Sequence, residues 1–320
     1  MKQQNPFKYS SDNKRYHTLS YYNKANGIKS YKAVIDAGLS CPNIDGRVSY
    51  GGCIFCDGSG GYFVNKNLSI KEQIDKEIER IYKKTPGVKI TAYFQSNTNT
   101  YCSLGKLREM LDVCLNDGRV SFISLGTRPD CIDEDKVKLL SKVSKIKPVT
   151  IELGLQTVND KTAEIINRGY KFDVFLKAYK LLREAGIRIC VHLIDGLPSE
   201  NKEDMIYSAK VLADLNIEAI KIHLLHVIKG TKLHRIYENG YYTPLEMDEY
   251  IDIVISQLEV LPPETVIERI TGDGDKEKLI APLWSRDQIR VLGTIDKIMA
   301  ERNTFQSRLY LQDSEKNSII

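Results

Sequence analysis

Three cysteines near the start of the chain have the residue type and spacing to bind a metal. Cys41, Cys53 and Cys56 follow the pattern C-x11-C-x2-C within a glycine-rich stretch, residues 36–62. This stretch has no long apolar run, so it is predicted to be a loop rather than a packed element. Thiolates are ligands of soft metals. Because three of them fall in one short loop, we interpret the stretch as a metal site.

Two kinds of metal centre use such thiols. A zinc site usually combines two close ligands with two more close ligands, and a histidine often completes it. This loop has one C-x2-C pair, one distant cysteine and no histidine. A cubane [4Fe–4S] cluster suits the pattern better, because each thiolate takes one iron and the fourth iron stays open to another ligand.

Composition excludes several other classes of protein. The 320 residues are 42% hydrophobic and 28% charged, which is ordinary for a chain with a sizeable core. No segment approaches the roughly 18 uninterrupted apolar residues of a membrane helix, and the first residues lack the apolar core of a signal peptide. We therefore expect a cytoplasmic protein with no membrane partner. Seven cysteines, an odd number, fit a disulfide framework poorly.

Apolar runs alternate with amphipathic segments along most of the chain. This alternation predicts six β-then-α units and a parallel sheet with crossover helices. Six units are fewer than the eight of a closed barrel. The predicted fold class is α/β, an open partial (β/α)6 barrel with a C-terminal α/β extension. The predicted strands are 32–37, 88–94, 120–125, 149–153, 187–194 and 219–225, and the helices between them include 69–84, 104–115, 133–143, 172–185 and 202–215.

Three regions are predicted: residues 1–30 as a basic N-terminal strap, 31–245 as the partial barrel, and 246–320 as the extension. A strand over 266–270 is expected in the extension. Residues 1–40 contain seven basic and two acidic side chains, interleaved with five tyrosines. Basic side chains meet phosphates and aromatic rings stack on bases, so this region suits a single-stranded RNA surface. A solvated strap with no RNA role is the alternative.

Polar motifs follow the predicted strands. QSNTNTY, GTRPD, GLQT, DGLPSE and HVIKGT each come directly after an apolar run. In parallel sheets of this kind, binding and catalytic residues gather on the loops at the carboxyl ends of the strands. The cysteine loop and these motifs are therefore expected at one edge of the sheet.

The motifs together resemble a known family. KAVIDAGLSCPNIDGRVSYGGCIFC, AYFQSNTNTY, SLGTRPDCI, IELGLQT, NRGY and HLIDGLP are similar to signatures of the radical S-adenosylmethionine (SAM) superfamily, in its elongator-like branch of YhcC/YtqA-type proteins. The resemblance extends over nearly the whole chain in order. It implies two cofactors, a [4Fe–4S] cluster and SAM, with Cys41, Cys53 and Cys56 as cluster ligands.

The same resemblance implies positions that contact SAM. Phe55 matches an aromatic residue that packs near the adenine. Gln156 and Arg168 match a pair that binds ribose and carboxylate, for which an amide and a guanidinium are suited. His192 lies where some relatives place a ribose-binding aspartate, although a core histidine is the rival interpretation. Where many relatives have Gly-Gly-Glu for the SAM amino group, this chain has Gln95, Ser96 and Asn97.

Other polar residues at strand ends have two interpretations each. Cys102 and Cys131 could donate a hydrogen atom to a product radical, or they could be unreactive thiols. Arg128 could touch substrate, or it could only brace its loop with the nearby aspartate. His223 and His226 end the sixth predicted strand, where they could face a cavity or be structural.

The resemblance implies a reaction class. The reduced cluster cleaves SAM to methionine and a 5′-deoxyadenosyl radical, which abstracts hydrogen from the substrate. Relatives in this branch imply tRNA as substrate, with carboxymethylaminomethyl-uridine at the wobble position converted to aminomethyl-uridine. A low-potential electron donor such as flavodoxin or ferredoxin is an implied partner. The alternatives are a radical SAM enzyme acting on a small metabolite or cofactor precursor, and a non-enzymatic metal- or RNA-binding module.

Overall fold

The helices and strands alternate as expected from the sequence. The computed structural model describes residues 5–10, 13–58, 67–272 and 277–310. The strands are β1 (Ser30–Ile35), β2 (Lys89–Phe94), β3 (Val120–Thr127), β4 (Val149–Gln156), β5 (Arg188–Asp195), β6 (Ala219–Leu224), β7 (Val227–Ile228), β8 (Val266–Ile270) and β9 (Leu279–Ala281). The helices are α1 (Leu19–Ala25), α2 (Ile70–Tyr82), α3 (Leu104–Asn116), α4 (Glu134–Ser144), α5 (Asp160–Ile165), α6 (Phe172–Glu184), α7 (Lys202–Asp214), α8 (Lys232–Glu238), α9 (Met247–Val260) and α10 (Gln288–Glu301).

Within the described residues, the main sheet has seven strands in the order β1-β2-β3-β4-β5-β6-β8. The pairs β1–β2, β2–β3, β3–β4 and β6–β8 are parallel. The strand expected in the extension is therefore a member of this sheet, because β8 pairs with β6 from Ala219↔Val266 onward. A short antiparallel pair, β7 with β9, was not predicted from the sequence.

Helix boundaries follow from capping and from an apolar stripe. The Ser69 side chain caps the first turn of α2 and Glu72 bonds back to the Ser69 backbone, which is a capping box. Ile74, Ile78 and Ile81 recur along one face and are buried. Because this helix packs on β1, its stripe covers that strand. No helix in the described ranges is long and apolar enough to cross a membrane.

The chain divides into two compact units, each made of separate segments. The first comprises Met1–Asn26, Gln156–Ile166 and His192–Ile320, and the second comprises Gly27–Leu155 and Asn167–Val191. The predicted boundaries after residues 30 and 245 remain predictions.

Part of the basic N-terminal segment belongs to the core of the first unit. Arg15 is 4% exposed and donates to the Thr304 carbonyl, and Tyr16 is 5% exposed. Lys14 forms an ion pair with Asp296. The prediction of an RNA surface was therefore wrong for Arg15 and Tyr16, because burial removes both side chains from solvent.

Candidate functional site

The cysteine loop follows β1 in the second unit, and its described part, which ends at residue 58, turns tightly after Cys41 and after Cys53. The Ile44 N–H donates to the Cys41 carbonyl over 2.8 Å, and the Cys56 N–H donates to the Cys53 carbonyl over 2.9 Å. All three thiols are half-buried and free of disulfides. The backbone turn from Cys53 to Cys56 is the local geometry that allows a C-x2-C pair to serve one metal centre.

The three thiols lie close enough to affect one another electrostatically. The pKa of Cys53 is raised to about 11, chiefly by burial; of the smaller influences, the Arg128 guanidinium lowers this pKa and the Cys56 and Cys41 thiols raise it. Burial also raises the pKa of Cys56, although the Gly58 N–H donates to its sulfur over 3.4 Å. The raised pKa values of Cys53 and Cys56 favour the protonated thiols until a metal replaces their protons.

The thiols fit a cluster by their number and residue type. Cys41, Cys53 and Cys56 are all free, and three thiolates that each bind a different iron are the ligand set of a [4Fe–4S] cluster whose fourth iron stays open.

The NRGY segment, residues 167–170, is hydrogen-bonded to the cysteine loop. The Asn167 amide donates to the Gly52 carbonyl over 2.8 Å, and the Asn43 amide donates to the Asn167 carbonyl over 2.5 Å. The Asn43 amide also lies 3.6 Å from the Cys53 sulfur. Gly169 has φ +83°, and a Cβ there would lie 2.7 Å from Asn43 Oδ1. The close approach of the two segments therefore requires glycine.

Arg168 and Tyr170 tie the same segment to the end of β4. Arg168 is fully buried, and its Nη1 and Nε donate to the carbonyls of Leu155, over 2.5 Å, and Tyr170, over 3.0 Å. The Tyr170 hydroxyl donates to the Gly154 carbonyl over 2.6 Å. These contacts give Arg168 a structural role in positioning the strand end. Its predicted contact with the SAM carboxylate remains a prediction.

The turn after β2 contains the residues that replace Gly-Gly-Glu. Gln95 is exposed, whereas Ser96 is 1% exposed and its hydroxyl has no hydrogen-bond partner within the described residues. Asn97 has φ 55° and donates to the Leu39 carbonyl over 2.9 Å, which fixes this turn to the cysteine loop. A buried hydroxyl without a partner is costly. The turn therefore fits a polar ligand that would satisfy Ser96.

Four further predicted site residues lie in the second unit: Phe55, Arg128, Cys102 and Cys131. Phe55, which lies between Cys53 and Cys56 in the sequence, is half-buried. Arg128 forms a 2.7 Å ion pair with Asp130. It therefore stabilises its own loop, which is one of the two roles considered for it. Its substrate contact remains a prediction.

The two cysteines considered as hydrogen-atom donors, Cys102 and Cys131, stay protonated at neutral pH. Burial raises the pKa of Cys131 to about 12 and raises that of Cys102. Hydrogen-atom donation requires the thiol form, so this protonation is compatible with the predicted role and does not test it.

The remaining predicted residues lie in the first unit. Gln156 has φ 66°, a strained backbone for this residue type of the kind found at functional sites. The His192 and His223 rings are 5.1 Å apart. A Cβ at Gly272 would lie 3.4 Å from His223 Nδ1 and 3.7 Å from His226 Cε1, so these two histidines flank one position.

Sequence reasoning did not single out several residues that build the site. Asn43 and Asn167 join the cysteine loop to the NRGY segment, and Asn99 donates to the carbonyls of Phe94 and Gly126, which joins the ends of β2 and β3. All three asparagines stand in motifs already singled out for other residues. The sequence feature that could have identified these asparagines is an amide side chain close to the end of a predicted strand.

Asp195, at the end of β5, is the basis of a stability prediction. Burial raises its pKa from 3.8 to about 7, although Gln257 donates to it over 2.7 Å. The folded state therefore binds more protons than the unfolded state between about pH 4 and 7, and stability falls as pH rises through this window. We expect Asp195→Asn to abolish that fall and to be more stable at pH 8 by up to about 4 kcal/mol.

Urea unfolding between pH 4 and 8 measures this difference. Asp214→Asn is the matched control, because Asp214 is exposed at the end of α7 and should leave the pH profile unchanged. A variant at Asp195 that keeps the wild-type slope would contradict the buried carboxyl as its source.

The chain is similar to known proteins over most of its length. The radical SAM superfamily model matches residues 46–212, and the radical SAM C-terminal domain matches residues 217–301. The chain is 41% identical to YtqA of Bacillus subtilis over 322 residues, covering 100% of both proteins. It is 29% identical to a tRNA uridine(34) acetyltransferase of Methanocaldococcus jannaschii over 158 residues, covering 48% of this chain and 29% of that protein.

Among solved structures, the archaeal Elp3 of Methanocaldococcus infernus is similar with a TM-score of 0.64 at 18% identity, covering 87% of this chain and 64% of that one. This likeness confirms the predicted fold class, a partial barrel of the radical SAM type. With the family models and YtqA, it establishes that the chain belongs to the radical SAM superfamily, among the YhcC/YtqA-type enzymes that use a [4Fe–4S] cluster and SAM.

Proposed function

We propose that this radical SAM enzyme modifies a wobble uridine of tRNA, converting carboxymethylaminomethyl-uridine to aminomethyl-uridine. The observation that carries the radical chemistry is the group of three half-buried thiols, Cys41, Cys53 and Cys56, in one anchored loop. These residues would hold the cluster. When bound, the cluster and SAM supply a 5′-deoxyadenosyl radical that abstracts a hydrogen atom from the substrate.

The chain's own residues would bind and orient SAM. Ser96 and its neighbours in the turn after β2 would accept the amino group, which gives the buried Ser96 hydroxyl a partner. Phe55 would pack on the adenine. Gln156 and His192 would contact the ribose, and Arg168 would hold the strand end that presents Gln156. An external reductant such as flavodoxin or ferredoxin would supply the electron.

Two observations support tRNA as the substrate. About half of the chain aligns with a protein named for acetylation of tRNA uridine 34. Lys8, Lys24 and Lys29, three of the basic residues near the N-terminus, are exposed. Exposed lysines meet phosphates without reading sequence, and such binding weakens steeply as salt is raised.

Mass spectrometry of tRNA nucleosides tests the proposal. We expect cells that lack this protein to accumulate carboxymethylaminomethyl-uridine and to lose aminomethyl-uridine. Purified protein with a reconstituted cluster should restore the product in vitro only when SAM and a reductant are both present. Binding to bulk tRNA should fall by at least 10-fold between about 50 and 200 mM salt if three or more phosphates are contacted.

The controls separate the alternatives. A variant that cannot bind the cluster, such as Cys53→Ala, should form no aminomethyl-uridine, either in the deletion strain or in vitro. Unchanged tRNA nucleosides in the deletion strain, combined with release of 5′-deoxyadenosine by the purified protein, would instead indicate a small-molecule substrate. Absence of 5′-deoxyadenosine from reduced, SAM-loaded protein would contradict the enzyme assignment.

A further inference from the structure

The first four strands have two faces of opposite character. On one face, Ala33, Ile35, Ala92, Phe94, Ile123 and Leu125 are at most 1% exposed. The alternate positions carry Ser30, Lys32, Thr91, Tyr93, Ser124 and Glu152, together with the apolar Val34 and Phe122. Parallel strands that are covered by apolar layers on both faces have continuous apolar sequences. This second face is therefore mostly polar, which suits contact with a polar ligand.

Four of these side chains form one hydrogen-bonded group, which we call the Lys32 network: Lys32, Tyr93, Ser124 and Glu152. Glu152 accepts from Lys32 Nζ over 3.1 Å and from Ser124 Oγ over 3.2 Å through one oxygen, and from the Tyr93 hydroxyl over 2.7 Å through the other. Lys32 Nζ also lies 4.1 Å from the Tyr93 ring centroid. The network joins four neighbouring strands.

The two charged members differ in exposure. The Glu152 side chain is 1% exposed and the Lys32 side chain is 36% exposed. Burying a carboxylate is costly, and apolar residues of similar volume often replace a buried ion pair without loss of stability. Stability alone therefore gives little reason for this pair. Its effect is to fix an accessible ammonium group at a defined place on the polar face.

The ammonium group retains capacity for a ligand. Lys32 has three N–H donors, and its bond to Glu152 uses one of them. A fixed, partly exposed ammonium group of this kind is suited to binding a carboxylate.

We propose that Lys32 binds the carboxylate of an aminoacetate group on the substrate, and that Glu152 is a positioning residue that holds Lys32. This inference rests on the proposed function, in which the uridine substituent carries a secondary ammonium and a carboxylate. The product keeps the amine and lacks the carboxylate. The Lys32 contact therefore distinguishes substrate from product and favours product release.

Nucleoside binding to the reconstituted, SAM-loaded enzyme tests this site. Calorimetric titration would compare 5-carboxymethylaminomethyl-uridine with 5-aminomethyl-uridine. We expect wild type to prefer the carboxylated nucleoside by about 10- to 100-fold, the range of a hydrogen bond to a charged group. Lys32→Met should remove this preference, and Lys32→Arg, which keeps the charge, should retain most of it.

Lys89→Met is the matched control, because Lys89 is an exposed cation at the start of the neighbouring strand β2. It should keep the full preference. Glu152→Gln should reduce the preference while the affinity for SAM stays unchanged. Circular dichroism of each variant checks its folding, and Lys32→Arg keeps the site testable if Lys32→Met fails to fold.

Two outcomes would overturn the site: equal binding of both nucleosides by wild type, or a Lys32→Met variant that still discriminates. Failure of the tRNA proposal has a different signature. In that case the purified protein discriminates between the nucleosides while the deletion strain shows unchanged tRNA nucleosides.

Discussion

Cys53→Ala should abolish the visible absorption of the reconstituted protein and reduce SAM cleavage below detection. The expected effect is this large because a cubane held by three thiolates loses one of only three protein ligands. Cys53 is also the thiol that Asn43 contacts and that Arg128 influences electrostatically. The fold should survive, with a loss of about 1 kcal/mol, since the thiol is only half-buried. Absorption spectroscopy after anaerobic reconstitution measures the cluster, and 5′-deoxyadenosine release measures the activity.

Cys114→Ala is the control for this experiment. Cys114 is fully buried in α3 and belongs to the hydrophobic core. Its substitution should cost about 1–2 kcal/mol of stability and leave the absorption spectrum intact. The pair thus separates loss of a ligand from loss of stability. A Cys53→Ala protein with the wild-type spectrum and iron content would refute the assignment of this ligand.

Arg168→Met should lower the free energy of unfolding by about 3 kcal/mol. The substitution leaves the carbonyls of Leu155 and Tyr170 without the buried guanidinium donor, and each buried group deprived of its partner costs about 1–3 kcal/mol. With a urea dependence of about 3 kcal/mol per molar, the unfolding midpoint should fall by about 1 M. Cluster-free protein should be used throughout, so that loss of the cofactor does not contribute.

Arg183→Met is the matched substitution on the surface of α6, where Arg183 is exposed and donates to the Tyr179 hydroxyl. It should change stability by no more than about 0.5 kcal/mol. If Arg168→Met were equally mild, the backbone contacts of Arg168 would not carry the stability attributed to them. A selective loss of SAM affinity in that variant would instead favour the direct contact with SAM that the family resemblance implies.

Local patterns in the sequence predicted most of the fold. The helix expected over 69–84 is α2, because its isoleucine stripe and its Ser69–Glu72 capping box are both visible in the sequence. The alternation of apolar runs and helices predicted the parallel sheet. The pairing of β8 with β6 could not be predicted, because the order of strands depends on contacts between distant segments.

The site was predictable only in part for the same reason. The C-x11-C-x2-C spacing identified the metal loop, but no spacing reveals that Asn43 meets Asn167, which lies 124 residues away. Arg168 was expected at a ligand, whereas its described contacts are with backbone carbonyls. The basic N-terminus suggested an exposed surface. Arg15 and Tyr16 are buried instead, and the contact of Arg15 with Thr304, which is distant in sequence, is not visible from the residue type.

We expect the hydrogen bonds between the NRGY segment and the cysteine loop to help the protein recover from exposure to oxygen. The hydrogen bonds of Asn167 to Gly52 and from Asn43 involve no iron, so they hold the loop in place whether or not the metal is there. Oxidative loss of the cluster should then leave the three cysteines in an ordered loop instead of an unfolded segment. We expect the iron–sulfur assembly proteins of the cell to rebuild the cluster in such molecules without refolding them. Repair can then replace the synthesis of new protein.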